Sequence, residues 1–169
     1  MKFTIDDLKK LDPCKEGLVW YEENVKSENF EEIIVQVGEH FLPWAIWLFR
    51  ALSKEQNMKI AIFCAKEVLP KFEAIYPKDL RPRRAIEAVE KSEVTDVIIR
   101  ESCQAVVETE HNACISHVAA NIAAHAILKV VAHKDIASHV AAHAAFQIAD
   151  NPLDFRQRIL KYAGEVCNE

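Results

Sequence analysis

"NMKIAIFCAKEVLPKFEAIYP", residues 57–77, decides the class of fold. Met58, Ala61, Ile62, Ala65, Leu69 and Phe72 recur at steps of three and four, the spacing that lines one face of an α-helix. Pro70 is expected to break or kink this helix, because proline lacks the N–H and crowds the carbonyl four residues back. Pro77 ends it. The next segment, "RPRRAIEAVEKS" (81–92), restarts a helix at Pro82, and "EVTDVIIRESCQAVVETEH" (93–111) follows.

The same period runs upstream. "TIDDLKKL" (4–11) has Thr4 as a candidate N-cap, acids in its first turn and lysines in its last, as the helix dipole prefers. "DPCKEGLVWYEENV" (12–25) fits Asp12 as N-cap with Pro13 at the first helical position. "SENFEEIIVQVGE" (27–39) begins a helix at Ser27, with Glu31 near its start and Gly38 near its end. "PWAIWLFRALS" (43–53) is a short apolar helix. Phe41, Trp44, Trp47 and Phe49 give it an aromatic load expected in the core; any part left outside would form a patch for a partner.

Downstream, residues 112–149 hold 13 alanines and only three Lys/Asp charges, Lys129, Lys134 and Asp135. A helix so poorly charged is expected to be largely buried. "NPLDFRQRILKYAGEVCNE" (151–169) opens on Asn151-Pro152 as a cap pair and is amphipathic. The expected fold is all-α: one domain over residues 1–169, an irregular bundle of about seven to nine helices with an alanine-rich C-terminal helical hairpin. It divides into acidic helices (1–40), central helices (41–110) and Ala/His-rich helices (111–169).

Composition narrows the function. Three glycines in 169 residues disfavour hairpin-rich sheets and Gly-rich phosphate loops. Asp6 and Asp7 interrupt any signal-peptide pattern, and the longest apolar run, Phe41 to Phe49, is far below the ~20 residues of a membrane span. Five cysteines, an odd number with no CxxC, fit reduced thiols and a cytoplasmic location. The net charge of −5 resides entirely in residues 1–40, which carry ten acids and five lysines. That disfavours nucleic acid and points to a basic protein partner, with a solvated acidic helix face as the alternative. No membrane partner is expected.

Within "FCAKEVLPKFEAIYPKDLRPRRAIEAVEKS" (63–92), Val68, Leu69, Pro70, Phe72 and Glu73 lead to Tyr76-Pro77, a charged step, and then Arg81, Pro82, Ala85, Ile86, Glu87 and Ala88. This pattern resembles the immunity proteins of the Imm-5-like family. "PWAIWLFRAL" lies where the family has its Trp/Leu-rich helix, and His139, Val140, His143 and Ala144 match an H-V-x-x-H-A element. The resemblance covers most of the chain past residue 12. It implies an antitoxin-like role, a soluble protein that binds and neutralises a toxin, and it implies no known enzyme activity or site; the expected protein is a non-enzymatic inhibitor that binds its partner stoichiometrically. A phage inhibitor of a host defence effector falls in the same class.

Two charged surfaces are candidates for such binding. One is the acidic set Glu22, Glu23, Glu28, Glu31 and Glu32. The other is the arginine turn, Arg81, Arg83 and Arg84, whose guanidinium forks suit carboxylates or phosphates. The alternative for the turn is that Arg81 fastens it to a neighbouring acid while Arg83 and Arg84 are solvated. A different class of function is metal or small-ligand binding by the histidines. His139 and His143 lie about 40° apart on a helix. Glu108, His111, Cys114 and His117 sit at three-residue steps, with Glu108 and His111 forming half of a di-iron E-x-x-H pair. Zinc or iron is the cofactor of that alternative; otherwise none is expected. The competing reading is that these histidines hydrogen-bond across a buried helix pair. A homodimer through the alanine-rich face is a further alternative. Cys64, on an apolar face, reads as a small core residue.

Overall fold

The computed structural model describes residues 1–91 and 151–167, with positions 93, 95, 97, 98, 100, 101 and 104 between them. Among these residues the chain forms seven α-helices: α1 (Ile5–Lys10), α2 (Lys15–Asn24), α3 (Phe30–His40), α4 (Leu42–Leu48), α5 (Lys54–Ile75), α6 (Arg81–Glu90) and α7 (Pro152–Val166). A 3₁₀ turn, Phe49–Ala51, extends α4. Seven meets the lower bound of the expectation. The alanine-rich hairpin lies outside the described residues.

Local chemistry explains most helix starts. The Thr4 hydroxyl accepts from the Asp7 N–H at 3.3 Å, and the Asp7 carboxylate accepts the Thr4 N–H at 3.0 Å, a reciprocal capping box. Ser53 and Gln56 make the same box at the head of α5. The Gln56 amide also donates to the Val166 carbonyl at 3.1 Å, tying the start of α5 to the end of α7. Asn151 caps α7 through the Asp154 N–H at 3.2 Å, with Pro152 in the first turn, as its sequence predicts.

Three local expectations are corrected. Asp12 does not cap α2: it turns the chain in the left-handed region, with φ 57°. The cap is Cys14, whose Sγ accepts from the Gly17 N–H at 3.4 Å. Asn29, not Ser27, caps α3; the Ser27 hydroxyl instead accepts from the Asn29 N–H at 3.0 Å. Finally, α5 runs through Pro70 without a break. Pro70 is exposed, and so is Lys66, whose carbonyl the ring crowds. On a solvent-facing side a carbonyl is free to tilt out toward water, which gives the ring room.

The core grows from these faces. Phe30, Phe49, Phe72 and Phe155 are fully buried, among Ile33, Ile34, Ile60, Val68 and Ile159. α7 lies against α3 and α5. Two glycines let it approach. A Cβ at Gly38 would fall 2.5 Å from Leu160 Cδ1, and one at Gly164 would fall 2.6 Å from Glu31 Cγ. The N-terminal strand-like segment is tied to the α2–α3 loop by Phe3 N–H to the Glu28 carbonyl (2.8 Å) and Phe30 N–H to the Met1 carbonyl (3.0 Å). No helix among the described residues is long and apolar enough to cross a membrane.

Candidate functional site

The arginine turn is largely spent on the fold. Arg81 forks onto Asp79, Nε to Oδ1 at 2.9 Å and a terminal nitrogen to Oδ2 at 2.7 Å, while its N–H donates to the same carboxylate at 3.1 Å. Arg81 thus fastens the turn to a neighbouring acid. Arg83 is not simply solvated: it forks onto Glu73 with both bonds at 2.7 Å, clamping α6 to α5. Lys66 and Glu90 add a second clamp between the same helices. Arg84, well exposed, reaches Glu101 at 4.0 Å. Pro82, Ala85, Ile86 and Ala88 are buried beneath this clamp. The central motif is therefore a device for packing α6 on α5. Reversing Arg83 to glutamate would set two carboxylates together at Glu73, so it perturbs stability as well as surface charge.

Asp79 makes the turn sensitive to acid. Hydrogen bonds from Arg81 hold its carboxyl below the usual carboxylate range. A depressed pKa in the folded chain contributes stability above the unfolded value near 3.9, and that contribution is lost as pH falls through the folded value. Asp79→Asn is expected to be less stable than wild type by about 1–2 kcal/mol at pH near 6, with the gap narrowing as pH falls below the ordinary carboxylate range. Urea titrations at about pH 6 and at acid pH check this.

The acidic set divides. Glu28 pairs with Lys2 at 2.9 Å and Glu22 with Lys9 at 3.3 Å, all at the exposed surface. Glu31 is half-buried beside Gly164, at the contact of α3 with α7. Glu23 and Glu32 are exposed and form no ion pair among the described residues. The same holds for Glu16 and Glu39.

The sequence reading overlooked a pocket. All three tryptophans of the chain, Trp20, Trp44 and Trp47, line one cavity of about 210 Å³, with Leu8, Pro13, Cys14, Gly17, Tyr21, Val37, Pro43 and Leu48. α1, α2, α3 and α4 build it. The aromatic helix thus has two sides. Phe49, Leu48 and Ile46 enter the core, Trp44 and Trp47 are half-buried at the pocket, and Phe41 is 47% exposed. Rings support one another around it. His40 stacks on Trp20 with centroids 4.3 Å apart, Trp44 lies 6.0 Å from Trp20, and Phe41 meets Trp44 edge-on at 5.4 Å. The Arg50 guanidinium sits 5.5 Å from the Trp47 ring centre, a cation–π distance. Burial pushes the Tyr21 phenol up to about 12, so it stays neutral. The legible trace of this pocket was Gly17, Trp20 and Tyr21 at helical steps, facing Pro43, Trp44 and Trp47 at similar steps.

Gly17 carries no left-handed φ, but it is closely packed. An added Cβ would meet Cys14 Sγ at 3.2 Å and Trp44 Cε2 at 3.5 Å, and the thiol that must give way is the one that caps α2. Gly17→Ala is expected to change stability by less than about 0.5 kcal/mol, the gain in helix propensity offset by the disturbed cap. A thermal melt checks it; a loss above about 1 kcal/mol would show that the close approach is needed by the fold.

Cys64 is fully buried, and burial raises its thiol well above the ordinary range; it is a core residue. Burial likewise lifts Cys167 to about 11. No group of three or more metal-binding side chains occurs among the described residues. The metal candidates Glu108, His111, Cys114, His117, His139 and His143 lie outside them.

Comparison with known families matches residues 48–163, well over half of the chain, to the family described as "Imm-5 like putative immunity protein". No curated protein and no solved structure matches. The matched segment takes in the α5–α6 clamp and most of α7, and it begins at the last residue lining the aromatic pocket, Leu48.

Proposed function

Because this chain belongs to the Imm-5 like putative immunity protein family, we propose that it neutralises one cognate toxin by stoichiometric protein–protein binding in the cytoplasm. Family membership is the observation that carries this reading. An inhibitor of this kind needs no reactive group; it needs a complementary surface that covers or distorts its target. The ion-pair pattern favours one of the two charged surfaces. Arg81 and Arg83 are engaged within the chain, whereas Glu16, Glu23, Glu32 and Glu39 stand exposed without ion pairs among the described residues. A basic face on the toxin meets such a surface, since charge complementarity speeds encounter and selects partners. A phage-borne relative of this activity would act on a host defence effector by the same means.

The test is protection. The chain is co-expressed with toxins encoded beside it, and growth is followed. One toxin is expected to be neutralised, and the pair to elute as a complex of fixed stoichiometry by light scattering. Full toxicity with every neighbouring gene product, with the chain folded and abundant, counts against the reading.

A further inference from the structure

We propose that the aromatic pocket between α1, α2, α3 and α4 is the anchor site for an apolar side chain carried on a basic segment of the protein partner. This rests on the inhibitor reading above and adds where the partner's anchor goes.

The backbone supplies the first argument. Gly17, in the first turn of α2, has no left-handed φ, and a Cβ there would stand 3.5 Å from Trp44 Cε2 and 3.2 Å from Cys14 Sγ. α2 therefore presents bare main chain to the Trp44 ring and adds no side chain to the pocket wall at that point.

Size and chemistry supply the second. At about 210 Å³ the cavity is smaller than the roughly 300–1,000 Å³ of pockets that enclose a whole small ligand. It suits a single leucine or phenylalanine side chain. No lining residue is charged, and three tryptophans remain only half-buried around it. Aromatic pockets that lose water when filled are where binding energy concentrates at interfaces.

Charge names the bearer of that side chain. The helices α1–α3 lie in the segment holding ten acids against five lysines. Three of those lysines are already paired, with Glu28, Glu22 and Asp7. Asp12 and Glu16 flank the pocket residues Pro13, Cys14 and Gly17, and Glu39 adjoins His40 on Trp20; none of the three forms an ion pair among the described residues. The nearby cations are Lys15 and Arg50, and Arg50 lies over Trp47. An apolar metabolite would make no use of this field. A lysine- or arginine-flanked apolar residue uses both the pocket and the field.

The probe is the hexapeptide acetyl-Lys-Lys-Phe-Leu-Lys-Lys-amide, with two controls: Glu in place of Lys, and Ser-Ser in place of Phe-Leu. Tryptophan emission of the full chain follows binding. Iodoacetamide labelling of exposed Cys14, read by peptide mass mapping, follows occupancy in the wild-type chain, and buried Cys64 is the internal control. The basic apolar peptide is expected to shift the emission saturably, to slow Cys14 labelling, and to bind at least about tenfold tighter than either control. Gly17→Leu, whose side chain must push Cys14 Sγ and Trp44 into the pocket, is expected to weaken binding by at least about tenfold; its melting temperature is measured alongside, and the wild-type peptide and labelling results decide the matter if it does not fold. Equal binding of the three peptides, or undiminished Cys14 labelling at saturating peptide, overturns the proposal without any variant. So does a folded Gly17→Leu chain that still protects cells fully from the toxin. Self-association that shields Cys14 as well as the peptide does would make a second copy the occupant and also overturns it. Pocket binding by a wild-type chain that protects no cell upholds the pocket and overturns the inhibitor reading instead.

Discussion

Phe155→Ala is expected to lower the unfolding free energy by about 3–5 kcal/mol. Phe155 is 1% exposed and stands in the first turns of α7, against the core that α3 and α5 share. Its removal takes away a large apolar surface and leaves a hole that fully buried neighbours cannot refill, since Phe72, Ile60 and Ile159 are already fixed by their own packing. The loss is large beside the roughly 5–15 kcal/mol by which a domain is stable. Other ties of α7 are too weak to compensate. Arg158 reaches Glu67 and Asp154 at a half-exposed site, where ion pairs contribute about 0–1 kcal/mol, and the Gln56 bond to Val166 contributes about 1 kcal/mol. Urea unfolding followed by far-UV circular dichroism gives the value. A loss below about 1 kcal/mol would mean that α7 is not part of the cooperative core.

Reversing Glu16, Glu23, Glu32 and Glu39 together to lysine is expected to slow association with the cognate toxin by about tenfold to a hundredfold at low salt. These four side chains are exposed and form no ion pairs among the described residues; Glu16 and Glu32 stand in the first turns of α2 and α3, where a lysine opposes the helix dipole, so those two changes should cost the fold about 0.5–1 kcal/mol each and the other two less. Glu22 and Glu28 are the wrong choices for this experiment, because their reversal also breaks the Lys9 and Lys2 pairs. Dissociation should change less than association, since anchors rather than rim charges hold a formed complex. Stopped-flow mixing across a salt series reads both. An accelerated association in the lysine variant would show that the toxin presents an acidic face and would turn attention to Arg84.

Much of this fold was legible from helical periodicity and caps. Thr4 and Asn151 act through bonds to residues three positions away, so sequence alone carries the information, and the Ser53–Gln56 box at the head of α5 has the same spacing but was not read. Pro70 misleads because its effect depends on which way it faces. Inside a bundle it breaks a helix, but on the exposed side of α5 it does not. Arg83 was read as a surface charge because its partner, Glu73, lies ten residues back across a turn whose geometry no local pattern reports. The pocket was hidden for a similar reason. Tryptophans in apolar helices normally mean core, and only the joining of α2 to α4 shows that Trp44 and Trp47 leave a cavity in front of Gly17. Of the sites proposed from sequence, the acids and arginines now have partners or vacancies assigned, while the histidine set falls outside the described residues.

The contact between α3 and α7 joins residues separated by most of the chain. A ribosome adding about 5–20 residues per second completes α3 on the order of 10 s before it reaches α7. Throughout that interval the groove beside Gly38, shaped to receive Leu160, has no occupant, and the apolar flank of α3 is open to whatever else is in reach. Apolar surface exposed in this way is prone to wrong contacts until α7 emerges. Completion of this core therefore has a floor in time, set by how far α7 lies behind α3 in the message.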